Sequence, residues 1–371
     1  MPPLKRSLLF SAALCVASLT SVQAAQPITS PAFASDIADR YANHIFYGSG
    51  ATGMALVVID GNQRVFRSFG ETRPGNNVHP QLDSVIRIAS LSKLMTSEML
   101  VKLLDQGVVK LNDPLSKYAP PGSRVPTYNG TPITLVNLAT HTSALPREQP
   151  GGAAHRPVFV WPTQSQRWNY LSTAKLHAAP GSQASYSNLA FDLLADALGN
   201  AAGKPYPQLF EEQITRPLGM KDTTFTPFLR SVRAVDGGRK RCRVRAITRW
   251  RRWAAVGVYS TPGDMMRWMQ QYLSSDFYHR SNQADRMQTL VYKRSQLTRV
   301  IGMDVPGRAD ALGLGWVYMA PKNGRPGHYS ENRRRRRLYY LYGDDPAVKR
   351  GGIRGDYALT ADPLREYERW Y

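Results

Sequence analysis

The run Arg87-Ile-Ala-Ser-Leu-Ser-Lys-Leu-Met-Thr96 opens the segment that most constrains this chain. Leu91, Leu94, Met95, Met99 and Leu103 recur at helical spacing, which predicts a helix with one apolar, core-seeking face. Gly107 after Gln106 is a natural stop. Ser90 and Lys93 are three residues apart and so share a face, in what reads as the helix's first turn. There, unpaired backbone N–H groups and the positive end of the helix dipole favour developing negative charge. A serine so placed, with an amine beside it, suits acyl transfer. Spacing alone does not select it, because Ser172-Thr-Ala-Lys175 repeats the pattern. The ordinary case for such a quartet is a serine near a helix start and a solvated lysine.

What distinguishes the first copy is a second motif downstream. Pro180-Gly-Ser-Gln-Ala-Ser-Tyr186-Ser-Asn188-Leu-Ala190 is a turn-rich loop that delivers Tyr-x-Asn just before a helical pattern. Tyr41-Ala-Asn43 has the same letters, but it precedes the serine and lacks the loop.

A length of 371 residues permits one large domain or two intimate ones with a substantial core. Lys5 and Arg6, the apolar run Leu8 to Leu19 and the small-residue site Val22-Gln-Ala24 read as a secretory signal over residues 1–24. The expectation is therefore an exported, periplasmic protein. Its apolar run is too short to span a bilayer comfortably. Cys15 follows Leu14 and makes a poor lipid-anchor site. Removal of Cys15 leaves Cys242 alone, which excludes an internal disulfide. The seven histidines show no metal-ligand spacing.

Met54 to Ile59 and Arg64 to Phe69 are β-rich runs around the turn signal Asp60-Gly-Asn62. Helical patterns follow at Ala190 to Ala202, Tyr206 to Arg216 and Pro262 to Tyr272, and Ala311 to Met319 returns to strand character. A strand-rich start and finish thus enclose a helical middle.

Ser90-Leu-Ser-Lys93, Leu138-Ala-Thr-His-Thr-Ser143, Tyr186-Ser-Asn188 and Gly257-Val-Tyr-Ser-Thr-Pro-Gly-Asp264 occur in this order. Together they resemble the serine penicillin-recognising enzymes of the class C β-lactamase type, over residues 1–226 and 257–327. The resemblance implies an α/β plus all-α, β-lactamase/transpeptidase-like fold: an antiparallel sheet flanked by helices and a helical region within about residues 100–300, with the site between them. It implies a D,D-carboxypeptidase/endopeptidase with weak β-lactamase activity, acting on peptidoglycan muropeptides and acylated by β-lactams. Ser90 would attack, Lys93 would ease its deprotonation, Tyr186 would shuttle the proton to the leaving nitrogen, and Asn188 would bind the substrate amide. His141 belongs to the pattern in a structural role. No metal or organic cofactor is implied. The chain is expected to be a monomer, with peripheral attachment to the inner membrane left open.

The pattern breaks twice. The family's third motif, Lys or His, then Ser or Thr, then Gly, should follow Arg325-Pro-Gly327, but His328-Tyr-Ser-Glu-Asn332 and five arginines, 333 to 337, stand there. Five arginines cannot pack as a central strand beside a catalytic serine. If Glu331-Asn-Arg333 is written GAA-AAC-CGG, the frame one base later reads Lys-Thr-Gly, and repeated CGG becomes glycine. Residues 328–371 are accordingly read as out-of-frame translation replacing the last strands and helix. Residues 228–256 read as a second displaced window, rich in arginine and tryptophan. Within the formal charge of +21, residues 227–256 hold 10 basic and 1 acidic residue, and residues 328–371 hold 10 basic and 7 acidic. The expected consequence is an impaired enzyme.

Two rival readings remain. Within enzymes, the alternative is a class C-type β-lactamase or esterase. Outside them it is an inactive basic protein held on anionic surfaces, since Trp250, Trp253, Tyr339 and Tyr340 are interleaved with arginine. An export signal argues against nucleic acid as the partner.

Overall fold

The computed structural model describes residues 31–60, 63–150, 162–225, 257–273, 283–304, 307–322, 328–330 and 341–342. The signal segment, both cysteines, the 228–256 window and the five arginines lie outside the described residues.

Helix α1 (Pro31–Ser49) precedes the hairpin β1 (Gly53–Asp60) and β2 (Gln63–Gly70), which pair antiparallel in continuous register from Gly53↔Gly70 to Asp60↔Gln63. Alternation along β1 splits its side chains between two cores. Leu56 and Val58 pack with Ala38 and Ala42 of α1, whereas Val57 and Ile59 join the main core. Strand β3 (Ile86–Arg87) leads through a single 3₁₀ turn, Ala89–Leu91, into α2 (Ser92–Asp105). Gly107 follows with φ +71°, the left-handed conformation that ends a helix.

One face of α2 is expected to be buried; the structure buries every residue from Ser92 to Val101. The helix is a central strut rather than a surface element, so its polar residues need internal partners. Thr96 Oγ1 bonds the Tyr206 hydroxyl at 2.7 Å, and Glu98 Oε2 accepts from Trp268 Nε1 at 2.8 Å. The helix also begins at Ser92, so Ser90 sits in the 3₁₀ turn before it, not in the first α turn.

Further along come β4 (Thr127–Tyr128), β5 (Thr131–Pro132), α3 (Leu135–Ala139), α4 (Gln164–Thr173), β6 (Ala184–Ser185), α5 (Asn188–Ala201) and α6 (Tyr206–Phe210), which runs into a π turn. Then follow β7 (Tyr259–Ser260), α7 (Pro262–Leu273), α8 (Gln283–Gln288), β8 (Tyr292–Lys293), β9 (Val300–Ile301), β10 (Ala311–Leu312), β11 (Val317–Met319), β12 (His328–Ser330) and β13 (Leu341–Tyr342). Strands β13-β12-β11-β10-β8 form an antiparallel sheet, while β6 pairs with β9 in parallel and β3 with β7 antiparallel.

Helices α2, α3 and α5 interlock around Leu94, Met99, Leu138, Phe191 and Leu194. Each such side chain contributes roughly 1.5–3 kcal/mol by leaving water. Between β10 and β11, Gly315 has φ +77°, and a Cβ there would lie 2.9 Å from Ser97 Oγ of α2. That turn therefore rests directly on the helix behind Ser90, and Gly315 N–H bonds the Ala139 carbonyl at 2.7 Å.

Of the segment from His328 onward, residues 328–330 form β12 and 341–342 form β13. Tyr329 pairs with Tyr318, Ser330 pairs with Val317, and Ser330 is buried. Pairing thus extends three residues past the point where the sequence pattern ends.

Candidate active site

The entry to α2 is held from both sides. Ile88 N–H bonds the Val258 carbonyl at 3.1 Å, and Ser92 Oγ donates to the Ala89 carbonyl at 2.6 Å. Ala89 is left-handed, with φ +49°. A non-glycine residue there carries on the order of 1–3 kcal/mol of strain, the kind of distortion that clusters at functional sites. The next residue is Ser90.

Lys93 lies one turn on, with no exposed surface, and its Nζ donates to Ser90 Oγ at 3.1 Å. The Tyr186 hydroxyl donates to the same oxygen at 2.8 Å. Ser90 Oγ therefore accepts from an amine and a phenol together, an arrangement that stabilises an alkoxide. Lys93 Nζ also sits 4.9 Å from the Tyr186 ring centre and 5.9 Å from that of Phe191.

Tyr186 comes from 96 residues away because two loops dock on each other. Ser185 N–H bonds the His141 carbonyl at 2.8 Å, Gly181 N–H bonds that of Thr142 at 2.8 Å, and Tyr186 N–H bonds that of Ile301 at 3.1 Å. His141, with φ +59°, stacks its ring on Tyr186 at 4.5 Å. Its Nδ1 accepts the Ser187 N–H at 3.0 Å, which leaves the ring proton on Nε2. Burial, reinforced by the charges of Lys93 and Arg147, holds the His141 pKa well below the ordinary imidazole value. A neutral imidazole thus backs the phenol.

Asn188 is the first residue of α5, whose N-cap is Ser187. The Ser187 hydroxyl accepts from Ala190 N–H at 3.0 Å and donates to the Pro146 carbonyl at 2.7 Å. Asn188 Nδ2 donates to Glu148 Oε1 at 2.5 Å. An ionised carboxylate only accepts, so this bond fixes which way the amide faces. Asn188 Oδ1 is buried with no hydrogen-bond partner among the described residues. It is an acceptor suited to a substrate N–H.

The structure thus brings Ser90, Lys93 and Tyr186 into direct hydrogen bonding and sets Asn188 two residues beyond the phenol. The second serine–lysine quartet lies elsewhere. Ser172 and Lys175 are exposed, and Ser172 Oγ accepts from Arg124 N–H at 3.2 Å. Tyr41 is on α1, 40% exposed. Sequence reasoning missed Arg147 and Glu148. They lie four and five residues past the end of the Leu138–Ser143 motif, but a charged pair in a loop has no periodicity to mark it. Among the described residues, no group of three His, Cys, Asp or Glu side chains converges to hold a metal ion.

A serine hydrogen-bonded by a buried lysine and a tyrosine, in a chain of interlocked helices and an antiparallel sheet, defines the class: an enzyme of the β-lactamase/transpeptidase fold with a serine placed for acyl transfer. The family model named Beta-lactamase matches residues 38–355, and the chain belongs to that family. It is 82% identical over 329 residues to the D-alanyl-D-alanine-carboxypeptidase/endopeptidase AmpH of Escherichia coli strain K12, covering 87% of this chain and 84% of that protein. The solved β-lactamase/D-alanine carboxypeptidase of Yersinia pestis, complexed with citrate, superposes with a TM-score of 0.75 at 57% identity, covering 82% of this chain and 86% of that one. An octameric penicillin-binding protein homologue from Pyrococcus abyssi shares the fold alone, with a TM-score of 0.63 at 18% identity over 80% of this chain and 67% of that one.

Proposed function

We propose that this chain is a penicillin-binding serine D,D-carboxypeptidase/endopeptidase that cleaves peptidoglycan peptides through an acyl-enzyme on Ser90. The observation that carries the reading is the pair of hydrogen bonds onto Ser90 Oγ, from Lys93 Nζ and the Tyr186 hydroxyl. The 82% identical E. coli relative, a D-alanyl-D-alanine carboxypeptidase/endopeptidase, supports the substrate class.

In this reading Ser90 Oγ attacks the carbonyl carbon of a D-Ala-D-Ala bond, and its proton passes to whichever of Lys93 and Tyr186 is in its basic form. Tyr186 then delivers a proton to the leaving nitrogen as the C–N bond breaks. Asn188 Oδ1 accepts a substrate N–H, and water hydrolyses the ester. A β-lactam enters the same path and stays attached longer.

The reading includes impaired turnover, as the Lys-Thr-Gly strand is replaced. If Glu331-Asn-Arg333 is written GAA-AAC-CGG, the frame that spells Lys-Thr-Gly starts at codon 331, directly after Ser330, the last residue of β12. Loss of one oxyanion donor costs roughly 10²–10³ in turnover. We also propose export to the periplasm by residues 1–24, with attachment to the inner membrane limited to the periphery. Among the described residues no helix is long and apolar enough to cross a membrane.

Incubation with a fluorescent penicillin, followed by peptide mass mapping, tests the core reading. The expected result is a slow adduct on Ser90 together with D-Ala release from a pentapeptide muropeptide. An unlabelled Ser90 after prolonged exposure overturns it. Rapid nitrocefin turnover without D-Ala release favours the β-lactamase alternative. Nucleotide sequence across codons 227, 256 and 331 tests the frame.

A further inference from the structure

A cation stands over the ring of Tyr186 with no assigned task. Arg147 is exposed, and its guanidinium carbon lies 4.7 Å from the centre of the Tyr186 ring. A guanidinium held over a ring in this way keeps N–H donors available for a second group. Among the described residues that guanidinium has no hydrogen-bond or ion-pair partner. Glu148 is its chain neighbour, yet no ion pair joins the two; Glu148 is engaged by Asn188 instead.

The arginine is not on a loose loop. Its carbonyl accepts from Asn188 N–H at 2.9 Å and from Leu189 N–H at 3.4 Å, and the preceding Pro146 carbonyl accepts from Ser187 Oγ at 2.7 Å. The backbone that carries Arg147 is thereby fixed to the start of α5, the same helix start that presents Asn188. On its far side lies Gly302, where a Cβ would be 3.7 Å from Tyr186 Cβ and 4.0 Å from Arg147 Nη1. One phenol ring separates the guanidinium from the hydroxyl that bonds Ser90.

We propose that Arg147 is a carboxylate-binding residue for the substrate of this site. A fork of N–H donors, fixed in place, unpaired and one ring away from the nucleophile, matches the planar, bidentate geometry of a carboxylate. Two carboxylates could meet it: the free C-terminus on the leaving side of the scissile bond, or an acid on the acyl side. The proposal deepens the D,D-peptidase reading and rests on it for the identity of the site, but the binding step needs no chemistry.

The test uses the full chain with Ser90→Ala, which prevents turnover, and measures equilibrium binding by calorimetry or NMR titration. The probes are N-acetyl-D-Ala-D-Ala, its C-terminal amide, and N-succinyl-D-Ala-D-Ala amide, whose only carboxylate is on the acyl side. Adding Arg147→Ala is expected to weaken one carboxylate probe about 10–100-fold, as loss of a charge-assisted hydrogen bond does, and to leave the doubly neutral probe unchanged. Which carboxylate probe responds identifies the side. Arg147→Lys, keeping the charge but not the fork, is expected to recover part of the loss. Equal weakening of all three probes, no weakening of any, or no binding by the Ser90→Ala protein overturns the proposal. Failure of Ser90 to label with penicillin in the unmodified chain instead tells against the peptidase reading, and the two outcomes are read separately.

Discussion

The two serine–lysine quartets are the same pattern in opposite surroundings. At Ser90 and Lys93 the amine is fully buried and the serine oxygen receives two donors. At Ser172 and Lys175 both side chains face solvent near the end of α4, and the serine oxygen accepts a backbone N–H and donates back to the Trp168 carbonyl. Spacing places a lysine beside a serine in either case. Burial is what sets the first amine apart, since low dielectric strengthens its interaction with Ser90 and excludes the water that would otherwise satisfy it.

The strongest way to break this contrast is to remove each hydroxyl. Ser90→Ala is expected to abolish the penicillin adduct, and Ser172→Ala to leave its rate unchanged, both read by intact-protein mass. A matched loss at Ser172 would erase the distinction.

Replacing each amine sharpens it. Lys93→Met is expected to slow acylation on the order of 10³-fold, and Lys175→Met to have no effect on the labelling rate. Because a buried polar amine is costly to desolvate, Lys93→Met should also unfold at the same temperature or higher, a split between stability and activity visible in a melting curve.

Next in size is the phenol, which the second quartet lacks. Tyr186→Phe keeps the stack on His141 and removes only the hydroxyl, so acylation should fall by roughly 10²-fold with little change in melting temperature.

The smallest effect concerns the support behind that phenol. His141 is held neutral when folded, whereas in the unfolded chain it takes up a proton near pH 6.5. Its contribution to stability is therefore complete above that pH and is lost as pH falls below it, by about 1.4 kcal/mol per pH unit until the folded group also protonates. His141→Asn, which tolerates the left-handed backbone, should flatten that part of the profile in urea unfolding between pH 7 and 5. An unchanged slope removes His141 as its source.

Much of this was legible from residue order. The β1–β2 hairpin follows from alternating apolar residues around Asp60-Gly-Asn62, and α2 from its helical spacing and the Gly107 stop, because both signals are local. Helix α1 carries a weaker pattern and was not anticipated, and the parallel pairing of β6 with β9 joins residues more than a hundred apart. The extent to which α2 is buried was not legible either, since its serines, threonine, glutamate and lysine read as a solvated face. Thr96 and Glu98 find partners in Tyr206 and Trp268 of other segments, and Glu98 also pairs with Lys102 one turn along the same helix. Likewise, strand β12 reaches Ser330 through pairing with β11, although the motif ends at Gly327.

The sequence by itself determined which side chains were available and in what order: a serine, a lysine one helical turn later, and a tyrosine and asparagine brought by a turn-rich loop. Only the tertiary structure decided which of two equally spaced quartets is dry, that His141 and Arg147 flank the phenol, and that Glu148 orients Asn188. Periodicity reports which way a residue faces within its own element, but reactivity depends on desolvation and on partners from distant segments, and those exist only once the loops have docked.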